Sequence, residues 1–228
     1  FDIPASLLVA RASSARMIAP SGRTVDMIVQ GGTVGMVDRE HFDEWLRERA
    51  ATAGAERRDG LFTRFLRDED GTAVVEYEPK DGSAPIRVRA RCVIGADGAR
   101  SRVAAQAIPG GGETRCVFAY HEIIRSPQPG ENGFDPDRCE IYYQGHLSPD
   151  FYAWVFPHGD TASVGVGSAQ KGFSLRDAIR TLRKETGLQT AELIRKEGAP
   201  IPLKPLKRWD NGRDVILAGD AAGCVAPA

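Results

Sequence analysis

The apolar and polar positions of this chain alternate mostly as they do in β-strands. Residues 7–19 and 23–30 alternate loosely and are separated by Pro20-Ser21-Gly22, a turn signal that predicts an antiparallel pair. Later segments joined by Asp70-Gly71 and Asp81-Gly82 predict a three-stranded β-meander. The strands predicted beyond the first pair lie near 55–66, 72–78, 86–91, 116–124, 138–144, 151–157, 161–168 and 214–218.

Helical spacing is confined to a few segments. Asp38 is a suitable N-cap for a helix running to about Ala53, with Phe42, Trp45 and Leu46 on one face and Gly54 closing it. Two further helices are predicted over 174–186 and 189–197. Pro200, Pro202 and Pro205 then predict a linker before the last strand.

Two short apolar strands end in similar turns of small residues. Val93-Ile94-Gly95 runs into Ala96-Asp97-Gly98, and Val215-Ile216-Leu217 runs into Ala218-Gly219-Asp220. Both runs predict buried parallel strands. Glycine lets a ligand approach the backbone closely, and a helix that follows such a turn offers free N–H groups to phosphate or ribose. A single such turn is most often only a turn; two with the same flanks favour a nucleotide site.

This order of elements predicts an α/β fold. A doubly wound nucleotide-binding domain containing the β-meander would be interrupted by an antiparallel-sheet domain that holds the substrate. We assign strands of the substrate domain to 1–34, the nucleotide-binding domain to 35–112, the substrate domain to 113–205 and a return to the nucleotide-binding domain to 206–228.

An aromatic strand is the sharpest local signal. Tyr152, Trp154 and Phe156 alternate with small apolar residues, so in a strand all three project from one face. Such a wall could line a core, bind a long apolar ligand or form an interface. Pro157 follows directly, and a G-x-G pair, Gly165 and Gly167, comes shortly afterwards.

Composition excludes several classes of protein. The 228 residues are 42% hydrophobic and 27% charged, with a formal net charge of −1, which gives no reason to expect nucleic-acid binding. The four cysteines form no C-x-x-C pair and the four histidines no metal-binding spacing, so we expect no metal site. Free thiols fit a reducing, cytoplasmic compartment.

Several of these motifs together resemble the geranylgeranyl reductases, flavoproteins of the aromatic-hydroxylase fold. The two Gly-Asp turns resemble the second and third fingerprints of that fold, and the Y-x-W-x-F-P…G-x-G run resembles a geranylgeranyl reductase motif. Narrower matches to the chlorophyll and bacteriochlorophyll branch occur at 15–22, 37–43, 142–145 and 200–205, so the resemblance covers nearly the whole chain.

The resemblance implies roles for individual residues. Ala96, Asp97 and Gly98 would lie near the pyrophosphate of FAD, and Gly219 and Asp220 would contact its ribityl chain. Arg39, before the F-x-x-W-L helix, and Pro227 would also contact FAD. The substrate side of the flavin cavity would be lined by Tyr152, Trp154, Phe156, Pro157, Gly165 and Gly167.

The G-x-G-x-x-G motif that opens this fold is missing from the chain. We therefore expect an internal fragment that retains little flavin and is inactive alone. No residue stands out as the proton donor.

The resemblance implies an enzyme that reduces geranylgeranyl double bonds on bacteriochlorophyll or chlorophyll to phytyl, with hydride from reduced FAD and NADPH as its reductant. The partners would be a geranylgeranylated pigment or another prenyl substrate, met by peripheral contact at a photosynthetic membrane. The alternatives are reduction of prenyl lipids or quinones, FAD-dependent aromatic hydroxylation, and a scaffold that binds no FAD.

Overall fold

The computed structural model describes residues 3–225, which fold into four β-sheets and three α-helices. Contacts divide the chain into two compact units, each built from two segments. One comprises Phe1–Ala55 and Phe118–Ala199, and the other Glu56–Val117 and Pro200–Ala228. The α/β class is confirmed. The first helix therefore belongs to the same unit as the large sheet. The division of the chain into the four predicted domain ranges stays a prediction.

The larger unit is built on a seven-stranded sheet in the order β13-β9-β12-β11-β10-β2-β3. From β9 to β3 its neighbouring strands are antiparallel, except β10 and β2, which run parallel. The strands of this sheet are β2 (Ser14–Ile18), β3 (Thr24–Ile28), β9 (Cys116–Arg125), β10 (Arg138–Tyr142), β11 (Ala153–His158), β12 (Thr161–Ser168) and β13 (Leu193–Pro202).

Helix α3 (Leu175–Glu185) covers one face of this sheet. Ser174 caps its N-terminus by accepting a hydrogen bond from the Asp177 N–H. Ala178, Ile179 and Leu182 pack with Val155 and Val164 of the sheet in the main hydrophobic core. This core fixes one face of β11 and β12 inward, so alternate residues of both strands point to the opposite face.

A strand pair and a helix also belong to this unit. Strands β1 (Leu8–Ala12) and β4 (Val34–Val37) form an antiparallel pair. Helix α1 (Arg39–Thr52) begins after Asp38, whose side chain accepts a hydrogen bond from the Glu40 N–H, as the sequence predicts. Strand β4 and the division of the first predicted strand into β1 and β2 were not predicted.

The smaller unit contains the predicted meander. Strands β5 (Gly60–Arg67), β6 (Ala73–Pro79) and β7 (Ile86–Ala90) form an antiparallel sheet. Strands β8 (Val93–Gly95) and β14 (Val215–Leu217) pair in parallel, and α2 (Arg102–Ala107) follows β8. Val103 and Ala104 of α2 share a core with Val215 and Leu217.

The helix predicted over 189–197 is wrong. Residues 193–202 instead form β13, an edge strand beside β9. The predicted proline linker is also partly wrong, because β13 continues through Pro200 and Pro202. Proline is tolerated in an edge strand, where its missing N–H needs no partner.

Candidate functional site

The two Gly-Asp turns lie side by side. Residues Val215 and Leu217 of β14 pair with Val93 and Gly95 of β8, and the Ala218 N–H donates to the Gly95 carbonyl over 2.9 Å. Both turns therefore follow the carboxyl ends of adjacent parallel strands, which is where ligands bind in open α/β sheets.

Asp97 is bound by its own chain. Its Oδ1 accepts from the Ser101 hydroxyl over 2.5 Å, and its Oδ2 accepts from the Arg102 and Val103 N–H groups over 2.7 and 3.1 Å. The carboxylate thus accepts from the first two N–H groups of α2, whose N-cap residue is Ser101, the acceptor for the Ala104 N–H over 2.8 Å. Its contact with FAD, like that of Ala96, stays a prediction. Gly98 has φ +84° and open space where a Cβ would stand, so its backbone is accessible.

The carboxylate of the second turn differs from that of the first. Asp220 is exposed, and within residues 3–225 its side chain has no hydrogen-bond or ion-pair partner. Gly219 has φ +58° and open space around its missing Cβ. An open backbone and a carboxylate acceptor fit the hydroxyl-rich chain of a nucleotide cofactor. Pro227, the other residue predicted near this turn, lies outside the described residues.

Arg39 stands at the start of α1, with 77% of its side chain exposed. Its guanidinium makes a two-point ion pair with Asp43, over 2.8 and 2.9 Å, which lowers the pKa of that carboxyl. The pair fixes the direction of the guanidinium along the helix. Contact between Arg39 and FAD stays a prediction.

The aromatic wall, Tyr152, Trp154 and Phe156, lies on the face of β11 away from α3. Its neighbouring ring centroids are 5.9 and 6.1 Å apart, which confirms that all three residues share a face. Phe151 stacks on Tyr152 at 4.1 Å. Pro157 is not part of the wall, because it is fully buried and alternates to the opposite face.

The two glycines of the G-x-G pair make room for this wall. Gly165 of β12 is the register partner of Trp154, and a Cβ on Gly165 would stand 2.0 Å from the indole ring. A Cβ on Gly167 would stand 2.5 Å from the Phe151 ring. The glycines therefore let the rings lie flat across the neighbouring strand, a packing known from aromatic rescue of sheet glycines.

A series of hydrogen-bonded polar side chains, which the sequence analysis did not identify, holds the indole of Trp154. The indole N–H donates to the Ser163 hydroxyl over 3.1 Å, and Ser163 contacts His121 Nδ1 at 3.0 Å. His121 Nε2 lies 3.0 Å from a Glu197 carboxylate oxygen. Because a carboxylate only accepts, Nε2 carries the proton and Nδ1 accepts from Ser163.

Burial lowers the pKa of His121, and the nearby Glu197 carboxylate partly offsets this. The imidazole is therefore held neutral near neutral pH. The only sequence signal for these hydrogen-bonded side chains was strand alternation, which indicates the residues of one strand that share a face. In the structure His121 pairs with Gly165 and Ile123 with Ser163 on the wall's face. The residues are too far apart in sequence for any spacing rule to join them.

One cavity of about 400 Å³ connects several of these residues within the larger unit. Arg39 lines it together with His121, Ser163 and Glu197. The structure thus brings the predicted cofactor residue Arg39 next to the hydrogen-bond chain that holds Trp154.

Two other properties of the described residues bear on the chemistry. No group of three or more His, Cys, Asp or Glu side chains within 3–225 is arranged to hold a metal ion. No helix in that range is long and apolar enough to cross a membrane.

Comparison with known proteins adds to this geometry. Residues 13–228 match the family described as "FAD binding domain". The chain is 55% identical, over its whole length, to geranylgeranyl diphosphate reductase of Rhodobacter capsulatus, covering 57% of that protein. It is 36% identical to the chloroplastic geranylgeranyl diphosphate reductase of Oryza sativa subsp. japonica, over 99% of this chain and 50% of that one.

A solved structure supports the same assignment. The geranylgeranyl bacteriochlorophyll reductase-like protein of Thermoplasma acidophilum superimposes with a TM-score of 0.80 at 25% identity, over 97% of this chain and 57% of that one. The chain spans about half the length of the curated relatives it matches. It belongs to the FAD-binding family, and throughout its length it is similar to the geranylgeranyl reductases within that family.

Proposed function

We propose that the complete protein is a flavin-dependent reductase that converts geranylgeranyl groups on bacteriochlorophyll or chlorophyll to phytyl. Its similarity to geranylgeranyl reductases supports the reaction class. The observation that carries the substrate class is the aromatic wall, an apolar face in which half-buried Tyr152 and Phe156 flank Trp154, which is 8% exposed and packs over Gly165. A long isoprenoid chain offers only apolar contacts, and such a wall suits it.

Each double bond gains one hydride and one proton in this reaction. Reduced FAD supplies the hydride when bound, and NADPH is the reductant that we propose for it. Asp220 would accept hydrogen bonds from cofactor hydroxyls, while the open backbone at Gly98 and Gly219 would allow close approach. The wall would hold the alkene in place and exclude water, which raises the effective concentration of the reacting groups.

The site of action follows from the proposed substrate. A pigment ester with a long isoprenoid tail resides in a membrane, so we propose a cytoplasmic protein that meets its substrate by peripheral contact with a photosynthetic membrane. The pigment or another prenyl compound is its proposed small-molecule partner.

A prenyl lipid or a prenyl quinone is the second candidate substrate. The wall contacts the isoprenoid chain and offers nothing that selects the group at its end. Reduction of either compound would therefore use the same surface.

The test is mass spectrometry of products formed by the full-length protein with FAD and NADPH in the absence of oxygen. Stepwise gain of hydrogen pairs on the tail of geranylgeranyl-bacteriochlorophyll supports the proposal. An unchanged pigment with bound FAD contradicts it, and parallel reactions with a prenyl lipid and a prenyl quinone then identify the second candidate.

Two controls separate the remaining alternatives. A product that forms only when oxygen is admitted would identify a hydroxylase. Failure of the full-length protein to bind FAD would favour a scaffold without catalysis.

A further inference from the structure

A basic cavity of about 290 Å³ lies on the face of the large sheet that carries α3, opposite the aromatic wall. Its cations come from α3 and from the edge strand β13. It is lined by Arg176, Arg180, Arg183, Lys196, Tyr120, Glu122 and Gln189.

The one carboxylate of the lining is already neutralised. Glu122 accepts from the Arg183 guanidinium over 2.7 Å and from the Tyr120 hydroxyl over 3.2 Å. The Arg183 and Glu122 side chains are each only 12% exposed, and Arg183 also donates to the Leu188 and Ala191 carbonyls. This buried ion pair lines the base of the cavity, and because Glu122 is paired with Arg183 it does not neutralise the other cations of the lining.

The remaining cations are not balanced. Arg176 and Arg180 lie one helical turn apart on α3, and Lys196 faces them from β13. Arg180 pairs with Asp177 over 2.9 Å, but both side chains are well exposed, so the pair is weak. For Arg176 and Lys196, no carboxylate partner exists in the described part of the chain. Like charges that line one cavity favour an anion between them.

We propose that this cavity binds a phosphate or diphosphate group. Two guanidinium forks and an ammonium group match the several oxygens and multiple charge of such a group better than they match a single carboxylate. Because the cavity and the wall lie on opposite faces of the sheet, this ligand is separate from the isoprenoid chain at the wall. The same chemistry occurs in free diphosphates and in the headgroups of anionic phospholipids.

The test measures binding by the full-length protein in two arms. Calorimetric titration with inorganic pyrophosphate measures the free anion, and sedimentation with phosphatidylglycerol vesicles measures the headgroup, with phosphatidylcholine vesicles as the neutral reference. The variant Arg176→Ala/Lys196→Ala should weaken binding at least about tenfold in whichever arm shows it. Lys184→Ala is the matched control, since Lys184 is an exposed cation of α3 that does not line the cavity.

A second measurement needs no substitution. Saturating pyrophosphate or phosphatidylglycerol should slow acetylation of Lys196 by an amine-reactive reagent and leave Lys184 unchanged. Protection by pyrophosphate identifies a free phosphate ligand, and protection by vesicles alone identifies a headgroup. If neither ligand slows acetylation of Lys196 more than that of Lys184, or if the double variant binds as tightly as wild type, the proposal is overturned whether or not the protein reduces prenyl groups.

Discussion

Gly165 decides whether the aromatic wall can form, because Trp154 occupies the space of its missing side chain. We expect Gly165→Ala to displace the indole and to lower the free energy of unfolding by about 1–3 kcal/mol, the usual cost of overpacking. Urea unfolding measures the loss, and tryptophan fluorescence reports the displacement. Gly145→Ala is the control, since nothing lies within 4 Å of the Cβ it would add. Equal effects of the two substitutions would contradict this account.

His121 makes stability depend on pH. Its folded-state pKa lies below the ordinary value of 6.5 because of burial, with Glu197 opposing the shift and Arg195 and His158 adding to it. The unfolded chain therefore binds the proton more tightly. The stabilisation is present above pH 6.5 and is lost as pH falls through the folded-state pKa.

We expect His121→Gln to flatten this pH dependence between about pH 7.5 and pH 5. Urea unfolding across that range measures it. His41→Gln is the matched control, because the His41 side chain is 75% exposed on α1. A wild-type slope in His121→Gln would show that other groups cause the acid sensitivity.

At the level of elements, Asp97 stabilises α2 by accepting hydrogen bonds from the N–H groups of its first turn. Asp97→Ala removes the acceptor for the Arg102 and Val103 N–H groups and for the Ser101 hydroxyl. We expect a loss of about 0.5–2 kcal/mol in the free energy of unfolding, measured by urea denaturation. Asp220→Ala serves as the matched control, and a loss in Asp97→Ala no larger than that in Asp220→Ala would contradict this role of Asp97.

Most elements were predictable because their signals are local. The Asp38 cap, the Asp-Gly turns of the meander and the alternation in β11 and β12 each lie within a few residues. Strand β13 was not predictable, because residues 191–197 are good helix formers and only pairing with β9 makes them a strand. Its exposed charged residues and its prolines are those of a protected sheet edge.

The candidate site divides in the same way. The wall and the two turns were visible as short motifs, whereas the Ser163–His121–Glu197 chain depends on the register of three strands. That register is set by long-range pairing, which a single sequence does not reveal.

At the scale of the whole molecule, the smaller unit depends on contacts between its two chain segments. Arg67 of β5 makes a two-point ion pair with Asp214, over 2.6 and 2.8 Å, just before β14. The hydrogen bonds from Arg67 hold the pKa of Asp214 below its ordinary value of 3.8. The stabilisation is therefore present above pH 3.8 and is lost as pH falls below it.

We expect Arg67→Ala to be less stable than wild type at neutral pH and to lose less further stability on acidification. Denaturant titrations at neutral and acidic pH measure both effects. Arg58→Ala is the control, since Arg58 contacts Glu56 and Tyr77, which belong to the same segment as itself, so it does not join the two segments of the unit. A variant that keeps the full acid sensitivity would show that the pair is not responsible.

The two Gly-Asp turns look alike in sequence, yet the structure gives their carboxylates different surroundings. Asp97 is engaged by its own helix, whereas the side chain of Asp220 has no partner within residues 3–225. Asp220→Ala in the full-length protein should therefore weaken FAD binding by roughly tenfold, the effect of losing a hydrogen bond to a charged acceptor. It should leave the stability of the cofactor-free protein unchanged, because no contact within the described chain is lost.

Asp97→Ala should mainly lower the free energy of unfolding. Fluorescence titration with FAD and urea unfolding of the cofactor-free protein measure the two effects separately. If Asp220→Ala unfolds the protein more readily while FAD affinity stays the same, the two turns do not divide cofactor binding and structural support in this way.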